Sequence, residues 1–228
     1  MGPMTIGVDL GQQRARTAIA VAELEDRQGD EYHIIRRLER LPLRAPYHEV
    51  AARLTIIVEG VRLRAMQDEM DRLVLPRWER GPEQEIMPTV YVDATGLGKP
   101  VIDALAVAGV PLVSVYFTYG DKRLTQGEES VSLGKGWLVS RVQVLLQAGH
   151  VLLPKTAEAD ALATDLRNYE ITMTPDANER DGAFSVGAHD DLVTALGLAV
   201  QPQAGRLALM DPEIADMIQN GWMREMGA

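Results

Sequence analysis

Short apolar runs at the start of the chain predict three consecutive β-strands. Residues 5–10 form a short buried run, residues 11–15 a turn, and residues 17–22 a second apolar run at hairpin distance. Residues 32–41 alternate only partly between apolar and polar side chains, which is typical of a strand near the edge of a sheet. Three strands joined by short links favour an antiparallel meander.

Helical spacing follows these strands. After Pro46, apolar residues recur every three or four positions, which predicts a helix that runs to about Leu73. Residues 89–93 predict a strand, residues 100–109 a helix with proline in its first turn, and residues 111–119 a further strand. This order predicts a β-α-β unit with parallel strands.

The third quarter of the chain predicts smaller elements. Residues 121–135 are polar and contain glycine, which is typical of a surface loop or a small hairpin. Residues 137–148 predict an amphipathic helix, which a short apolar run follows. Thr156 is placed to cap the next helix, whose first turns carry two acidic residues.

The last quarter predicts a hairpin and two helices. Residues 169–174 could pair with residues 183–186, and a helix with an apolar face opens at residues 187–191. Residues 211–226 predict a terminal helix. With no repeat or convincing linker, the sequence predicts one domain of mixed α/β type over residues 1–228, with a mixed sheet flanked by helices. The Gly-Pro at the start is typical of an expression scar, which would cover residues 1–3.

Composition limits the chemistry. Hydrophobic residues make up 46% and charged residues 25%, as expected for a globular protein with a core. The chain contains no cysteine, which excludes disulfides, cysteine-based zinc sites and thiol nucleophiles. No apolar run approaches the roughly 20 residues of a membrane helix, so we expect a soluble, intracellular protein that does not contact a membrane. The net charge of −10 argues against nucleic acid as a partner, unless a local basic rim and bound cations offset it.

Acidic residues fall at the ends of three predicted elements. Asp9 lies in the first strand, where a carboxylate is unfavourable unless it is paired, hydrogen-bonded or metal-bound. Asp93 ends a strand, at the edge of the sheet where α/β proteins place their sites. Asp190 and Asp191 open the last core helix. If the two strands are neighbours, these carboxylates can converge, and Mg²⁺ or Mn²⁺ would keep them ionised.

Each acidic residue also has a simpler interpretation. Asp9 and Asp93 could hydrogen-bond the backbone of the turns that follow them. Asp190 or Asp191 could be the N-cap of its helix. Together the acidic positions favour a metal centre, and a site with two ions can activate water and stabilise the leaving oxygen of a phosphodiester.

Three motifs resemble those of the nuclease domain of phage terminase large subunits. They are Ile-Gly-Val-Asp-Leu-Gly at 6–11, Val-Asp-Ala-Thr-Gly-Leu-Gly at 92–98, and His-Asp-Asp-Leu-Val-Thr-Ala-Leu-Gly-Leu-Ala at 189–199. The segments 136–154 and 170–186 also fit the family, so the resemblance spans nearly the whole chain. It implies an RNase H/RuvC-like fold and a metal-dependent endonuclease that cleaves double-stranded DNA during genome packaging.

The resemblance also implies roles for the acidic residues. Asp9 would bridge two divalent ions, Mg²⁺ or Mn²⁺, and Asp93 would bind one of them. Asp191, with help from Asp190, would bind the other. Related helices often carry a further acid at the position of Thr194, so its absence puts more weight on the Asp190–Asp191 pair.

The partners implied by the resemblance are those of a packaging motor. They are double-stranded DNA, a terminase ATPase domain, the small terminase and the portal, in the cytoplasm of a bacterial host that carries the phage or prophage. Residues 132–136 lack the spacing and the terminal hydroxyl of an ATPase phosphate loop. We therefore expect an excised nuclease domain or a free-standing relative rather than a motor.

Two other classes of protein stay open. Residues 8–11 and the following hairpin also resemble the first phosphate-binding loop of actin-like and sugar-kinase-type ATPases, which usually need two domains and do not place His-Asp-Asp on the last core helix. A catalytically silent binding module is the third class. His189 is expected to support the acidic residues or cap the helix rather than bind metal. Basic residues that flank the acidic motifs are candidates for phosphate contacts or simply solvated: Arg14, Arg16, Lys99, Lys122, Arg123, Lys135 and Arg141.

Overall fold

The computed structural model of the chain describes residues 2–11, 15–75, 87–96, 99–118, 122–126, 130–167, 171–172, 185–186 and 190–202. The first three strands form the predicted antiparallel meander: β1 covers Met4–Asp9, β2 Ala18–Arg27 and β3 Asp30–Arg40. β2 runs past its apolar stretch because Gln28 and Gly29, both with positive φ, close a two-residue hairpin turn to β3.

The β-α-β unit follows, as predicted. The long helix α1 covers Tyr47–Val74, β4 covers Thr89–Asp93, α2 covers Lys99–Val107 and β5 covers Leu112–Thr118. β4 pairs in parallel with β1 on one side and with β5 on the other. The neighbouring position of β1 and β4 is the condition that convergence of their aspartates requires.

A hairpin and a helix come next. Strands β6 (Arg123–Gln126) and β7 (Ser130–Gly134) pair antiparallel, so the small hairpin is the correct one of the two structures expected for this segment. β7 extends the sheet beside β5, and α3 (Lys135–Gln147) begins directly after it. The short strand β8 (Val151–Leu152) pairs in parallel with β3 at the opposite edge of the sheet.

Two further helices follow β8 along the chain. α4 covers Ala157–Arg167, and its predicted cap is confirmed, because Thr156 Oγ1 accepts a hydrogen bond of 3.3 Å from a backbone N–H of the first turn. α5 covers Asp191–Ala199 and is buried along its whole length. Within the described ranges, every helix is too short or too polar to span a lipid bilayer.

Within the described ranges, the strands form two sheets. Eight of them make one mixed sheet in the order β6-β7-β5-β4-β1-β2-β3-β8. The last two, β9 (Ile171–Thr172) and β10 (Ser185–Val186), pair antiparallel as a separate ladder, which confirms the predicted hairpin. The predicted terminal helix at 211–226 lies outside the described residues. A mixed α/β sheet with an antiparallel meander and parallel strands, flanked by helices, is predicted, and the structure confirms it.

Alternation along the strands decides which side chains face which helices. On β1, Ile6 and Val8 pack in the apolar cluster under α1 and α2. Gly7 and Asp9 point to the other face, which α5 covers with α3 and α4 beside it. The α5 face of β2 carries three successive alanines: Ala18, Ala20 and Ala22. Small residues there let α5 lie close to the centre of the sheet.

Gly7 sets the distance between α5 and β1. A Cβ atom at this position would lie 2.1 Å from the carbonyl oxygen of Ala195 and 2.4 Å from the backbone nitrogen of Ala199. No side chain fits into that space, so only glycine allows the helix to rest directly on the strand. The start of α5 is thereby held at the end of β1 where Asp9 lies.

Candidate metal centre

The two strand aspartates lie side by side. The parallel register of β1 and β4 pairs Val8 with Val92, so Asp9 and Asp93 are the next residues along adjacent strands. Neighbouring strands are about 5 Å apart, and side chains at equivalent positions share one face of the sheet. Asp9 and Asp93 therefore project together from the carboxyl end of the sheet towards the start of α5.

Helix α5 brings the remaining acidic residues to the same edge. Asp190 is its N-cap, and the Asp190 carbonyl accepts a hydrogen bond of 2.8 Å from the Thr194 N–H. Within the described residues, the Asp190 carboxylate caps no N–H of the helix, so capping does not occupy this side chain. Thr194, where related helices often carry an acid, is buried.

The electrostatics of Asp9 show that the acidic groups converge. Burial raises the pKa of Asp9 well above its ordinary value of 3.8. The negative charges of Asp93 and Asp190 raise the pKa of Asp9 further, while Lys135 lowers it. Asp191 also raises this pKa, but it is the weakest of these influences. The charges of three other carboxylates thus act on Asp9.

Asp93 serves both the turn and the acidic group. The Thr95 N–H donates a hydrogen bond of 2.8 Å to Asp93 Oδ1, and Thr95 Oγ1 accepts one of 2.7 Å from the Phe117 N–H. Burial raises the pKa of Asp93, although the hydrogen bonds from Thr95 work against that rise. The simpler interpretation of Asp93 as a turn residue is correct, and the charge of the same carboxylate also raises the pKa of Asp9.

Among the basic candidates from the sequence, Lys135 contacts Asp190. It is the first residue of α3, and its Nζ lies 3.4 Å from Asp190 Oδ2 and 5.0 Å from the centre of the Phe117 ring. Its positive charge lowers the pKa of both Asp9 and Asp93. Lys135 therefore offsets part of the negative charge of the group.

Two other basic candidates lie at the opposite end of α5. Arg141 Nε donates a hydrogen bond of 2.6 Å to the Val200 carbonyl, and Arg123 Nε donates one of 3.3 Å to Gln201 Oε1. Burial lowers the pKa of Arg141 to about 10. Arg123 is buried and Arg141 is partly buried, and both bond to residues just after α5. The candidates that are exposed to solvent are Arg16, Lys99 and Lys122. Arg14 and His189 lie outside the described residues.

Sequence reasoning missed Arg40. Its Nε and Nη2 donate hydrogen bonds of 2.9 and 2.5 Å to Asp191 Oδ1, and Nη2 donates another of 2.5 Å to Asp165 Oδ2 on α4. Burial works against the charge of Arg40, but the bonds and charges of Asp191 and Asp165 outweigh it, and the pKa of Arg40 is raised. A signal was present, because Arg40 follows the buried Leu38 by two positions and Asp165 follows the buried Leu162 by three, which places charges on core-facing positions.

Strand register places Arg40 and the aspartates in one line. Asp9 pairs with Ala18 on β2, and Ala18 pairs with Arg40 on β3. Arg40, Ala18, Asp9 and Asp93 therefore form a single row across four adjacent strands, which we call the terminal row. The start of α5 lies over it, with Asp191 bonded to Arg40 at one end and Asp190 facing the aspartates at the other.

The donor set suits a hard divalent cation. Carboxylate oxygens are the ligands that Mg²⁺ and Mn²⁺ prefer, and a cation would offset the charge that raises the pKa of Asp9. In the described part of the chain, no three acidic or histidine side chains stand close enough to enclose one metal ion. Carboxylates repel one another without a cation between them. Asp9, Asp93 and Asp190 thus fit an ion in donor type and charge, and its binding has to draw them closer.

Comparisons with known proteins give a structural likeness. No protein-family model matches the chain, and no curated protein matches it by sequence. The structure is similar to the large terminase nuclease from thermophilic phage G20c, with a TM-score of 0.53 and 21% identity over 86% of this chain and 80% of that one.

Two further structures resemble the chain. The G20c nuclease with bound zinc has a TM-score of 0.49 at 20% identity, covering 86% of this chain and 79% of that one. The nuclease domain of the large terminase g2p from bacteriophage SPP1, with bound Mn, has a TM-score of 0.46 at 12% identity, covering 86% and 84%. Identities this low establish architecture and leave activity to the site itself. The chain resembles the nuclease domain of a terminase large subunit and shares its fold.

Proposed function

We propose that the chain is a divalent-metal-dependent endonuclease that cleaves double-stranded DNA. The observation that carries this proposal is the meeting of Asp9, Asp93 and Asp190 at the start of α5, with Lys135 as the cation among them. The fold shared with a large terminase nuclease supports DNA as the substrate.

Three residues would hold the metal. The charges of Asp93 and Asp190 both act on Asp9, so Asp9 would help to hold two Mg²⁺ or Mn²⁺ ions, and Asp93 and Asp190 would each help to hold one. Ions bound there supply activation of water and charge stabilisation of the leaving oxygen. The Thr95 hydrogen bond fixes the orientation of the Asp93 carboxylate, which keeps one of its oxygens turned towards the backbone.

Lys135 would bind the substrate rather than the metal. Its ammonium group stands beside Asp190, where an ion that binds the carboxylate would release it. A released lysine at this edge can donate hydrogen bonds to the phosphate backbone without reading bases. That arrangement favours cutting with little sequence preference.

The biological setting is part of the same proposal. The chain would act with a terminase ATPase domain, the small terminase and the portal during genome packaging in the cytoplasm of a bacterial host. Because the net charge is −10, we expect the packaging assembly to supply much of the DNA affinity.

Plasmid cleavage tests the proposal. Wild-type protein with Mn²⁺ should nick and linearise supercoiled plasmid, and the cleavage should stop in EDTA. Asp93→Asn should lower the rate by more than about 100-fold, the upper end of the loss that an outer partner of a metal ligand causes. Asp103→Asn makes the same substitution at an exposed position of α2 and should cut at the wild-type rate.

The assay has two contrary outcomes. If Asp93→Asn and wild type leave the plasmid equally intact in Mn²⁺, the catalytic proposal is wrong. If the protein instead hydrolyses ATP and leaves DNA intact, the actin-like or sugar-kinase-type function replaces it.

A further inference from the structure

The two adjacent aspartates at the start of α5 have different surroundings. The Asp190 side chain is 28% exposed and has Lys135 Nζ at 3.4 Å. The Asp191 side chain is 10% exposed, and Asp191 Oδ1 accepts bonds from Arg40 and from the Leu192 N–H at 2.8 Å. One carboxylate is therefore open to solvent, whereas the other is already enclosed by donors.

Arg40 binds Asp191 as part of a larger group. The same guanidinium contacts Asp165 at 2.5 Å, and the side chains of Arg40 and Asp165 are only 19% and 13% exposed. The group joins β3, α4 and α5 through one cation. An arginine fork fixes the direction of its carboxylate partner, which a single point charge would not do.

The terminal row separates Arg40, the partner of Asp191, from Asp9 and Asp93. Arg40 lies two strands away from Asp9, which is about 10 Å at the usual strand spacing. Consecutive residues at a helix start point in directions about 100° apart. With Asp191 held at the Arg40 end, Asp190 is turned towards Asp9 and Asp93.

We infer that Asp190 is the metal ligand of the pair, and that Arg40 and Asp165 are positioning residues that hold Asp191 so that α5 presents Asp190 to Asp9 and Asp93. This inference rests on the proposed metal-dependent function. It departs from the family resemblance, which gives Asp191 the leading role.

Manganese binding to the full chain tests the assignment without any cleavage assay. Isothermal titration with Mn²⁺ gives affinity and stoichiometry, and loss of the free Mn²⁺ resonance signal gives an independent count of bound ions. Asp190→Asn should remove one bound ion or weaken binding by more than about 100-fold. Asp191→Asn and Arg40→Gln should weaken binding about 10- to 100-fold with the ion count unchanged, as expected for groups that orient a ligand.

Two variants make the test specific. Arg53→Gln is the matched control, because Arg53 also donates two hydrogen bonds to one carboxylate, that of Glu39, at 2.8 and 2.8 Å, away from the centre. It should bind Mn²⁺ like wild type. Arg40→Lys keeps the charge but loses the fork, so it should recover only part of the affinity lost in Arg40→Gln.

The outcomes separate the inference from the proposed function. If Asp191→Asn loses an ion while Asp190→Asn binds Mn²⁺ like wild type, the assignment is overturned and the nuclease proposal stands. If Asp191→Asn does not fold, Arg40→Gln and Asp165→Asn decide, and wild-type affinity in both would overturn the positioning role. If the wild-type protein binds no Mn²⁺ by either method, the proposed function itself fails.

Discussion

Two acidic groups meet at the start of α5, and they differ in how their charge is balanced. In the first, Asp9, Asp93 and Asp190 share Lys135, and the pKa values of Asp9 and Asp93 are raised by burial. In the second, Asp165 and Asp191 share Arg40 through short, direct hydrogen bonds. We call them the open group and the paired group.

The comparison separates two uses of a buried carboxylate. The open group keeps excess negative charge, which disfavours the folded protein until a cation binds. In the paired group, the positive charge of Arg40 is balanced by two carboxylates, and these ion pairs join three elements of secondary structure. Both contain aspartates at the ends of core elements, so the partner cation, rather than burial or position, distinguishes the proposed metal site from the structural contact.

Removing the cation of the paired group should give the largest change in stability. Arg40→Gln leaves Asp165 and Asp191 mostly buried without the guanidinium that they share. We expect the free energy of unfolding in metal-free buffer to fall by about 3 kcal/mol, as for other buried pairs that lose one partner. Urea denaturation followed by circular dichroism measures the loss.

Arg53→Gln is the control for this comparison as well. Arg53 and Glu39 are 32% and 20% exposed, and Glu39 keeps a contact of 3.1 Å with Arg37. Arg53→Gln should lower the free energy of unfolding by about 0.5 kcal/mol. Equal losses in the two variants would mean that the paired group is no more than a surface ion pair.

A methyl group at Gly7 should disturb both groups at once. Gly7→Ala places a Cβ against the α5 backbone, with contacts of 2.1 and 2.4 Å, so the helix must move away from β1. We expect a loss of about 2 kcal/mol in stability and weaker Mn²⁺ binding, because Asp190 and Asp191 move with the helix.

Gly60→Ala is the matched glycine substitution. Gly60 lies inside α1, and a Cβ there meets no atom within 4 Å. This variant should gain about 0.5–1 kcal/mol in stability, because alanine narrows the unfolded ensemble and favours helix. If Gly60→Ala lost as much stability as Gly7→Ala, the close approach of α5 to β1 would not be the reason for the loss in Gly7→Ala.

The open group should give a smaller effect that depends on pH. The folded pKa of Asp9 lies well above 3.8, so the folded state holds this proton at higher pH than the unfolded chain does. Stability therefore falls as pH rises from about 3.8 through the folded pKa, by at most about 1.4 kcal/mol per pH unit for one group. In metal-free buffer at neutral pH, Asp9→Asn should be more stable than wild type.

Comparing the stability of Asp9→Asn with that of wild type at each pH removes the competing effect of His33. Burial lowers the pKa of His33 from 6.5 to about 3, so its contribution to stability is complete above pH 6.5 and is lost as pH falls towards 3. That contribution has the opposite sign but is common to both proteins. Saturating Mn²⁺ should reverse the order, because only wild type keeps the full ligand set. A difference that does not change between pH 4 and pH 7 would contradict the raised pKa.

Much of this architecture follows from local patterns. Strand β4 has the predicted bounds because Thr89–Asp93 is a continuous apolar run closed by an aspartate. The same alternation that buries Ile6 and Val8 sends Asp9 to the opposite face. Convergence of Asp9 and Asp93 depended on one non-local fact, the pairing of β1 with β4, which no local pattern contains.

The charged contacts were harder to predict because they join distant parts of the chain. Arg40 and Asp191 are 151 positions apart, and nothing near either residue specifies the other. Arg123 and Arg141 carry charges that are usually solvated, yet Arg123 is buried and both arginines bond to residues just after α5. The metal role of the four aspartates stays a prediction, and Mn²⁺ titration is the measurement that decides it.

The alternation on β1 also specifies the register of β1 against β2 during folding. A slip of one residue against β2 would turn Asp9 into the apolar cluster under α1 and would press Val8 against the backbone of α5, where only Gly7 fits. A chain in the wrong register cannot close α5 over the sheet. Gly7 and Asp9 thus disfavour the wrong register. The cellular yield of folded protein should therefore respond to substitution of either residue, independently of any cutting of DNA.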